Sequence, residues 1–371
     1  MQSDDLKELP KYLRAYFEQE SQFYYYSEYE KHKKEYRKLD DVFVCLKGFS
    51  SSTPLINPVV FNNNCIGGGL YFRYKGVGIV VDPGIGFVSL MHRNGIFIDD
   101  IDIVIVTHSH IDHNCDVATL SSLLYDYNKD KSRTSKFYRK FLLCGEPKEH
   151  VIEWFLDDTT LKQTEGLLSC EYVHKLSELV KSIEWKNIKE IDGITIGLQA
   201  VETDHEKNKK DTYGIKLKFE EDSNVYVWGY TSDTAYFDDL AIFFEGCQVL
   251  LFNISDIYIN DVREIKSKSG HLGFNGSVQL LKKACPQIAL VTEFCCMNGD
   301  YRHEIVRALR ERLGNSNIHI LPADRGLKMS IGTKQIECTL CKTDCLVENI
   351  SIARPKKEFE NIHYICPDCL L

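Results

Sequence analysis

The chain has 371 residues, a hydrophobic fraction of 43% and a formal net charge of -9. This is long enough for one large domain with attachments, or for two domains, while the acidic balance and a sequence pI near 5.8 exclude a surface coated for polyanions and leave room only for a local basic groove. No apolar run approaches a membrane span and Met1-Gln2-Ser3-Asp4-Asp5 is acidic rather than signal-like, so a cytoplasmic protein is expected. Most of the 14 cysteines are scattered singly through apolar segments such as Leu142-Leu143-Cys144, which points to buried thiols rather than a disulfide framework.

Residues 1–40 are dense in Glu, Lys and Tyr, including Tyr24-Tyr25-Tyr26, and read as a helical N-terminal extension whose aromatics need a surface. Either it packs on the main domain or it is an arm for a homodimer or another protein partner. From Val42 short apolar runs broken by Gly, Ser and Pro mark a catalytic domain, taken as 41–333. Leu46-Lys47-Gly48-Phe49 follows its first strand, and Val77 to Val81 reads as a buried strand that ends in Asp82-Pro83-Gly84. Ile101 to Val106 is a short buried strand, rich in β-branched residues, and Thr107-His108-Ser109-His110-Ile111-Asp112-His113 is expected on the loop at its C-terminal end. Imidazole and carboxylate together suit Zn²⁺ and its first-row neighbours, and four ligand-type residues this close can serve two metals.

Asp116 to Tyr125 reads as a helix. The basic stretch 126–140, with Lys129, Lys131, Arg133, Lys136, Arg139 and Lys140, reads as a solvated loop or as a phosphate-binding entrance. Phe141 to Gly145 is the next strand, Glu146 to Lys189 reads as mostly helical, and Ile194 to Val201 is a strand that supplies His205 at its end. Val225 to Tyr230 leads into Thr231-Ser232-Asp233-Thr234, and Phe244 to Asn253 is another core strand. The turn holding His271 opens an amphipathic helix through Leu280, Leu281 and Ala284, and Ile288 to Phe294, with Glu293, follows. Arg302 to Leu313 is an amphipathic helix stopped by Gly314. The remainder, 334–371, carries Cys338-x2-Cys341 and Cys366-x2-Cys369, two pairs whose four thiolates fit one closed structural Zn²⁺ site in a zinc-ribbon-like domain.

The His/Asp cluster after a buried strand, Asp82-Pro83-Gly84, Ser232-Asp233-Thr234 and the His271 turn with its following strand resemble the metallo-β-lactamase superfamily. The likeness is closer to its ribonuclease Z-like phosphodiesterase branch and covers roughly Val42 to Gly332. It implies an α/β fold, the αββα sandwich, here with a helical N-terminal extension and a small C-terminal zinc ribbon. It also implies two divalent metal ions, Zn²⁺ or Mn²⁺, with His108, His110 and His205 on the first, Asp112, His113 and Glu293 on the second, and Asp233 bridging. Asp82 would support the metal loop by hydrogen bonds. Asp112 would orient or deprotonate the nucleophile, and His271 would contact the phosphate or protonate the leaving oxygen.

The chain departs from the branch in the fewer glycines of the loop from Leu46 to Pro54, in the reversed order of Tyr213-Gly214, and at two site positions. Ser232 replaces a Gly, and Glu293 stands where a ligand His is expected. Either Glu293 ligates the second metal, which shifts preference toward harder cations such as Mn²⁺, or His271 moves in as ligand; the spacing favours Glu293. A two-metal site lowers the pKa of its water toward 7 and clamps phosphate charge, so a metal-dependent phosphodiesterase acting on a nucleotide or nucleic-acid phosphodiester is expected. The competing readings are a DNA or RNA nuclease that works with a partner, and a catalytically altered metal-binding sensor.

Overall fold

The computed structural model describes residues 29–31, 33–34, 40–49, 68–131, 141–145, 170–180, 182, 184–205, 211–255, 270–295, 299–314 and 316–370. Most of the N-terminal extension and most of the basic stretch 126–140 lie outside them. Residues 29–31 and 33–34 are helical. They pack on the main body: the Tyr29 hydroxyl donates to Asp99 at 2.6 Å, Lys33 pairs with Asp99 and Asp100, and the Tyr29 ring meets Phe97 edge-on at 5.4 Å.

Two sheets form the centre. The first runs β16-β15-β14-β1-β2-β3-β4-β5-β6. Its strands are β1 (Val42–Cys45), β2 (Leu70–Tyr74), β3 (Val77–Val81), β4 (Ile103–Ile105), β5 (Phe141–Cys144), β6 (Cys170–His174), β14 (Lys328–Ser330), β15 (Gln335–Glu337) and β16 (Asp344–Leu346). The second runs β13-β12-β11-β10-β9-β8-β7, from β7 (Lys186–Ile191), β8 (Ile194–Glu202), β9 (Tyr213–Glu221) and β10 (Asn224–Tyr230) to β11 (Val249–Ser255), β12 (Ile288–Phe294) and β13 (His319–Pro322). Alternating apolar residues of both sheets fill the layer between them. Trp228 of β10, 1% exposed, lies against Phe43 at 5.1 Å and Phe72 at 5.4 Å of the facing sheet, and its indole N–H donates to the Ile331 carbonyl.

Helices cover both outer faces. Phe87–Met91 and Val117–Lys131 bury Phe87, Met91, Leu120 and Leu124 on the first sheet; Asp238–Phe243, Gly273–Ala284 and Arg302–Leu313 bury Leu240, Leu280, Leu281 and Leu309 on the second. The result is the αββα sandwich. Each helix presents one apolar stripe to a sheet, so neither sheet leaves a face to water.

The structure departs from the sequence reading at several elements. Where Glu146 to Lys189 reads as mostly helical, the described part holds two strands, β6 and part of β7, and one short helix, Leu176–Val180. β6 extends the parallel edge beside β5, and β7 folds back on β8 across Asp192-Gly193, both at positive φ (50° and 82°). An Asp-Gly between two runs is a tight-hairpin signal that outweighs the helical composition upstream. The metal-type cluster is not all loop: Ile111–Asn114 is a short helix with His110 at its N-cap. Phe244 to Gly246 close a helix, and the strand after them starts at Val249.

The C-terminal segment is continuous with the sandwich. β15 pairs with β14, and β16 with β15, so the expected boundary at 333/334 falls inside one sheet. β17 (Ser351–Ala353) and β18 (His363–Ile365) then form a separate hairpin, held by Tyr364, whose hydroxyl donates to Pro322 at 2.7 Å. Because Trp228 ties the two sheets together, Trp228→Ala is expected to cost about 3–5 kcal/mol, read as a lower urea midpoint at an unchanged slope.

Candidate metal centre

The strand ends meet at one end of the sandwich. Asp82, leaving β3 at φ 50°, accepts from the Thr107 N–H and the Thr107 hydroxyl, both at 2.8 Å, and from His113 Nδ1 at 2.7 Å. A carboxylate can only accept, so the Thr107 proton points to Asp82 and its oxygen accepts in turn. Ser232 Oγ lies 2.6 Å from that oxygen and His108 Nδ1 lies 3.2 Å from it. His108 therefore carries its proton on Nδ1 and turns Nε2 inward as a lone pair. That nitrogen is buried and finds no hydrogen-bond partner among the described residues. Ser232, where the resemblance has Gly, keeps a positive φ of 54° and adds a hydroxyl to this chain.

His205 is set by the same logic. Its Nδ1 donates to the Gly270 carbonyl at 3.0 Å, which leaves Nε2 facing His110 Nδ1 at 3.2 Å and Asp233 Oδ2 at 3.6 Å. Gly270 has to be glycine: a Cβ there would stand 1.8 Å from the His205 carbonyl oxygen. Gly84 makes a similar approach, its Cβ position lying 1.6 Å from the Asp112 carbonyl oxygen. Asn253 donates to Asp233 Oδ1 at 2.8 Å and so turns Oδ2 toward the histidines, 4.0 Å from His108 Nε2 and 3.8 Å from His113 Nε2.

Two groups of donor atoms result, each with members within 4.8 Å of one another: His108, His110, His205 and Asp233, and Asp112, His113 and Glu293. Glu293 joins the second group, its Oε1 3.3 Å from His113 Nε2; His271 lies on the other side, its Nδ1 3.9 Å from Asp233 Oδ2 and its ring 4.8 Å from that of His205. Burial and the neighbouring imidazoles push His108 well below the usual histidine range, so it is neutral, as a ligand must be. Burial and the Glu293 carboxylate push Asp233 up to about 7. Buried carboxylates need counter-charge, and the first group, with its inward lone pairs, fits a divalent cation.

One counter-charge comes from a residue that the sequence reading placed only in a loop. Lys47, 1% exposed, contacts Glu293 directly, donates to the Tyr230 hydroxyl at 3.3 Å and lies 3.3 and 3.4 Å from the two ring nitrogens of His113. The available signal was Glu293 itself: a Glu inside an apolar strand requires a cation.

At the C-terminus the sulfurs of Cys338, Cys341, Cys366 and Cys369 also lie within 4.8 Å of one another, and the Cys366 N–H points at the Cys338 sulfur. Four such sulfurs fit a tetrahedral Zn²⁺. Cys345 stands outside the group. Two measurements test these assignments. Asp82→Asn should weaken active-site metal affinity about 10–100-fold in chelator competition while the circular dichroism stays native; unchanged affinity would remove Asp82 from its supporting role. Cys369→Ser should lower bound zinc by one ion per chain.

Comparison with known proteins follows the same outline. The family model described as the β-lactamase superfamily domain matches residues 78–294. No curated protein sequence matches the chain. Among solved structures, the long-form RNase Z from yeast is similar at 11% identity and a TM-score of 0.55, over 78% of this chain and 42% of that one. Yeast PDE1 is similar at 12% identity and a TM-score of 0.53, over 77% of this chain and 98% of that one. Human tRNase Z, short form (ELAC1), is similar at 14% identity and a TM-score of 0.52, over 78% and 99%. These likenesses concern the fold, and the family model covers more than half of the sequence: the chain belongs to the β-lactamase superfamily.

Proposed function

We propose that this metallo-β-lactamase-fold hydrolase cleaves a phosphodiester of a nucleotide or nucleic acid at a divalent-metal centre. The observation that carries the proposal is that Asp233 Oδ2 lies 4.0 Å from His108 Nε2 and 3.6 Å from His205 Nε2 of the first donor group, 3.8 Å from His113 Nε2 of the second, and 3.9 Å from His271, a histidine that still reaches solvent. Zn²⁺ or Mn²⁺, held by His108, His110, His205 and Asp233, supplies when bound an acidified water and a positive clamp for the charge that develops on phosphate oxygens. Asp112, His113 and Glu293 complete the pocket on the other side of Asp233.

The chain's own residues divide by exposure. The side chains of His113 and Glu293 are sealed at 0% exposure, whereas Asp112 at 11% and His271 at 17% open toward solvent. Asp112 is therefore placed to orient the attacking water and take its proton, and His271 to meet the phosphate and protonate the leaving oxygen. Both are carboxylate or imidazole groups within reach of the cluster yet wettable, which proton transfer to a departing product requires.

The names RNase Z and tRNase Z among the similar structures support a phosphodiester substrate. The net charge of -9 favours a small one, such as a cyclic nucleotide, over a polynucleotide, whose binding rests on a basic face. Thiolates at Cys338, Cys341, Cys366 and Cys369 suit a reducing compartment, the cytoplasm. No described helix is long and apolar enough to cross a membrane. We assign 41–333 to the catalytic unit and 334–371 to the zinc ribbon that extends it; Tyr29 and Lys33 of the N-terminal segment pack on the main body, and contact with a second copy or another protein is assigned to the rest of that segment.

The test is hydrolysis of cyclic mono- and dinucleotides, single- and double-stranded RNA and DNA, and a generic phosphodiester, with Zn²⁺ or Mn²⁺. Turnover of a small nucleotide is expected, with little salt dependence and a loss of more than about 100-fold in His110→Ala, since even residues behind metal ligands are worth 10–100-fold. Steep loss with salt on a polynucleotide would make it a nuclease. Metal bound without turnover of any of these would sink the phosphodiester reading.

A further inference from the structure

We propose, on the basis of that metal-centre reading, that the Lys47 ammonium rather than a second divalent ion is the cation of the Asp112, His113 and Glu293 group, so that the active centre holds one divalent ion per chain. The second group has its positive charge built in. Lys47 contacts Glu293 Oε1, the same oxygen that stands 3.3 Å from His113 Nε2, and it lies almost equally far from both nitrogens of the His113 ring. It thus stands beside the imidazole, against the carboxylate oxygen that faces the inward ring nitrogen. The other ring nitrogen is taken by Asp82 at 2.7 Å.

Burial makes this contact decisive. Lys47 is 1% exposed and both His113 and Glu293 are 0% exposed. A dication on Glu293 and His113 would therefore face the ammonium at short range with no water to screen the repulsion. Nor is the ammonium free to withdraw. The Phe294 N–H donates to the Gly48 carbonyl, Phe49 bridges to Phe294, and the Arg302 guanidinium lies 4.6 Å over the Phe49 ring. A Cβ at Gly48 would stand 2.9 Å from Asp324 Oδ1, so the loop lies close against that carboxylate. From the facing sheet, Tyr230 accepts the ammonium and in turn meets Asn253, the residue that aims Asp233.

Lys47 is sealed from any substrate, so it is a positioning residue. Its positive charge lets Glu293 and Asp233 lie side by side, and keeps Asp233 Oδ2 available to the first group. The first group then retains the single divalent ion together with the solvent-reaching Asp112 and His271.

The full-length protein decides this by metal count. Mn²⁺ titration followed by electron paramagnetic resonance counts only the active centre, because Mn²⁺ prefers oxygen and imidazole to thiolate; His110→Ala serves as the blank. One Mn²⁺ per wild-type chain with an uncoupled spectrum is expected. Lys47→Met, which keeps the length and removes the charge, should take up a second Mn²⁺ and show the signature of an exchange-coupled pair. Two Mn²⁺ per wild-type chain, coupled, would overturn the role of Lys47 and leave the metal-centre reading standing. No Mn²⁺ in the wild type, with Zn²⁺ also absent by elemental analysis, would overturn both. Should Lys47→Met fail to fold, the wild-type count still decides, and Lys47→Met/Glu293→Gln, which removes both charges of the pair, should return one Mn²⁺.

Discussion

Four carboxylates gather at one end of the sandwich: those of Asp82, Asp233 and Glu293 are buried, and that of Asp112 is only 11% exposed. Unpaired, each would cost several kcal/mol to bury, so the structure depends on the cations and donors that face them. These come from both sheets. Lys47 follows β1 in the first sheet and meets Glu293 on β12 in the second, while Thr107 after β4 meets Ser232 after β10. The apolar layer around Trp228 holds the sheets face to face, and the polar network closes them at the end where the strands stop. Chemistry and closure are the same set of contacts here.

That network also explains why the loops at this end keep one shape. Three of the imidazoles have an outer partner that decides which nitrogen faces inward: hydroxyls anchored on Asp82 for His108, the Gly270 carbonyl for His205, and Asp82 itself for His113. Strained positions accompany it. Asp82, Ser232 and Glu293 all hold positive φ without being glycine, at 50°, 54° and 53°. Such backbone is retained where side-chain contacts over-determine it. All three are hydrogen-bonded or ion-paired inside the cluster.

The C-terminal cysteine unit is joined to this arrangement by packing as well as by sequence. Arg302, 1% exposed, pairs with Asp300 and Asp324 and donates to the Glu360 carbonyl; the ring of Phe359 stands 5.5 Å from that of Phe49, two residues from Lys47. A buried guanidinium satisfied by three segments fixes their relative placement. The four-cysteine unit thus abuts the loop that carries the ammonium, which connects it physically to the centre.

Legibility in the sequence followed the range of each interaction. The His108 to His113 cluster, the paired cysteines and the apolar strands were readable because ligand spacing and side-chain periodicity are local properties. Asp192-Gly193 was equally readable as a hairpin, but the helical composition before it obscured β6 and β7. The tertiary structure alone decided which groups share a space. Nothing local marks Lys47 as buried, because its burial depends on Glu293, some 250 residues away in the other sheet. Local spacing could present the ligands, whereas their charge balance is a sum over six chain segments that only folding brings within reach of one another.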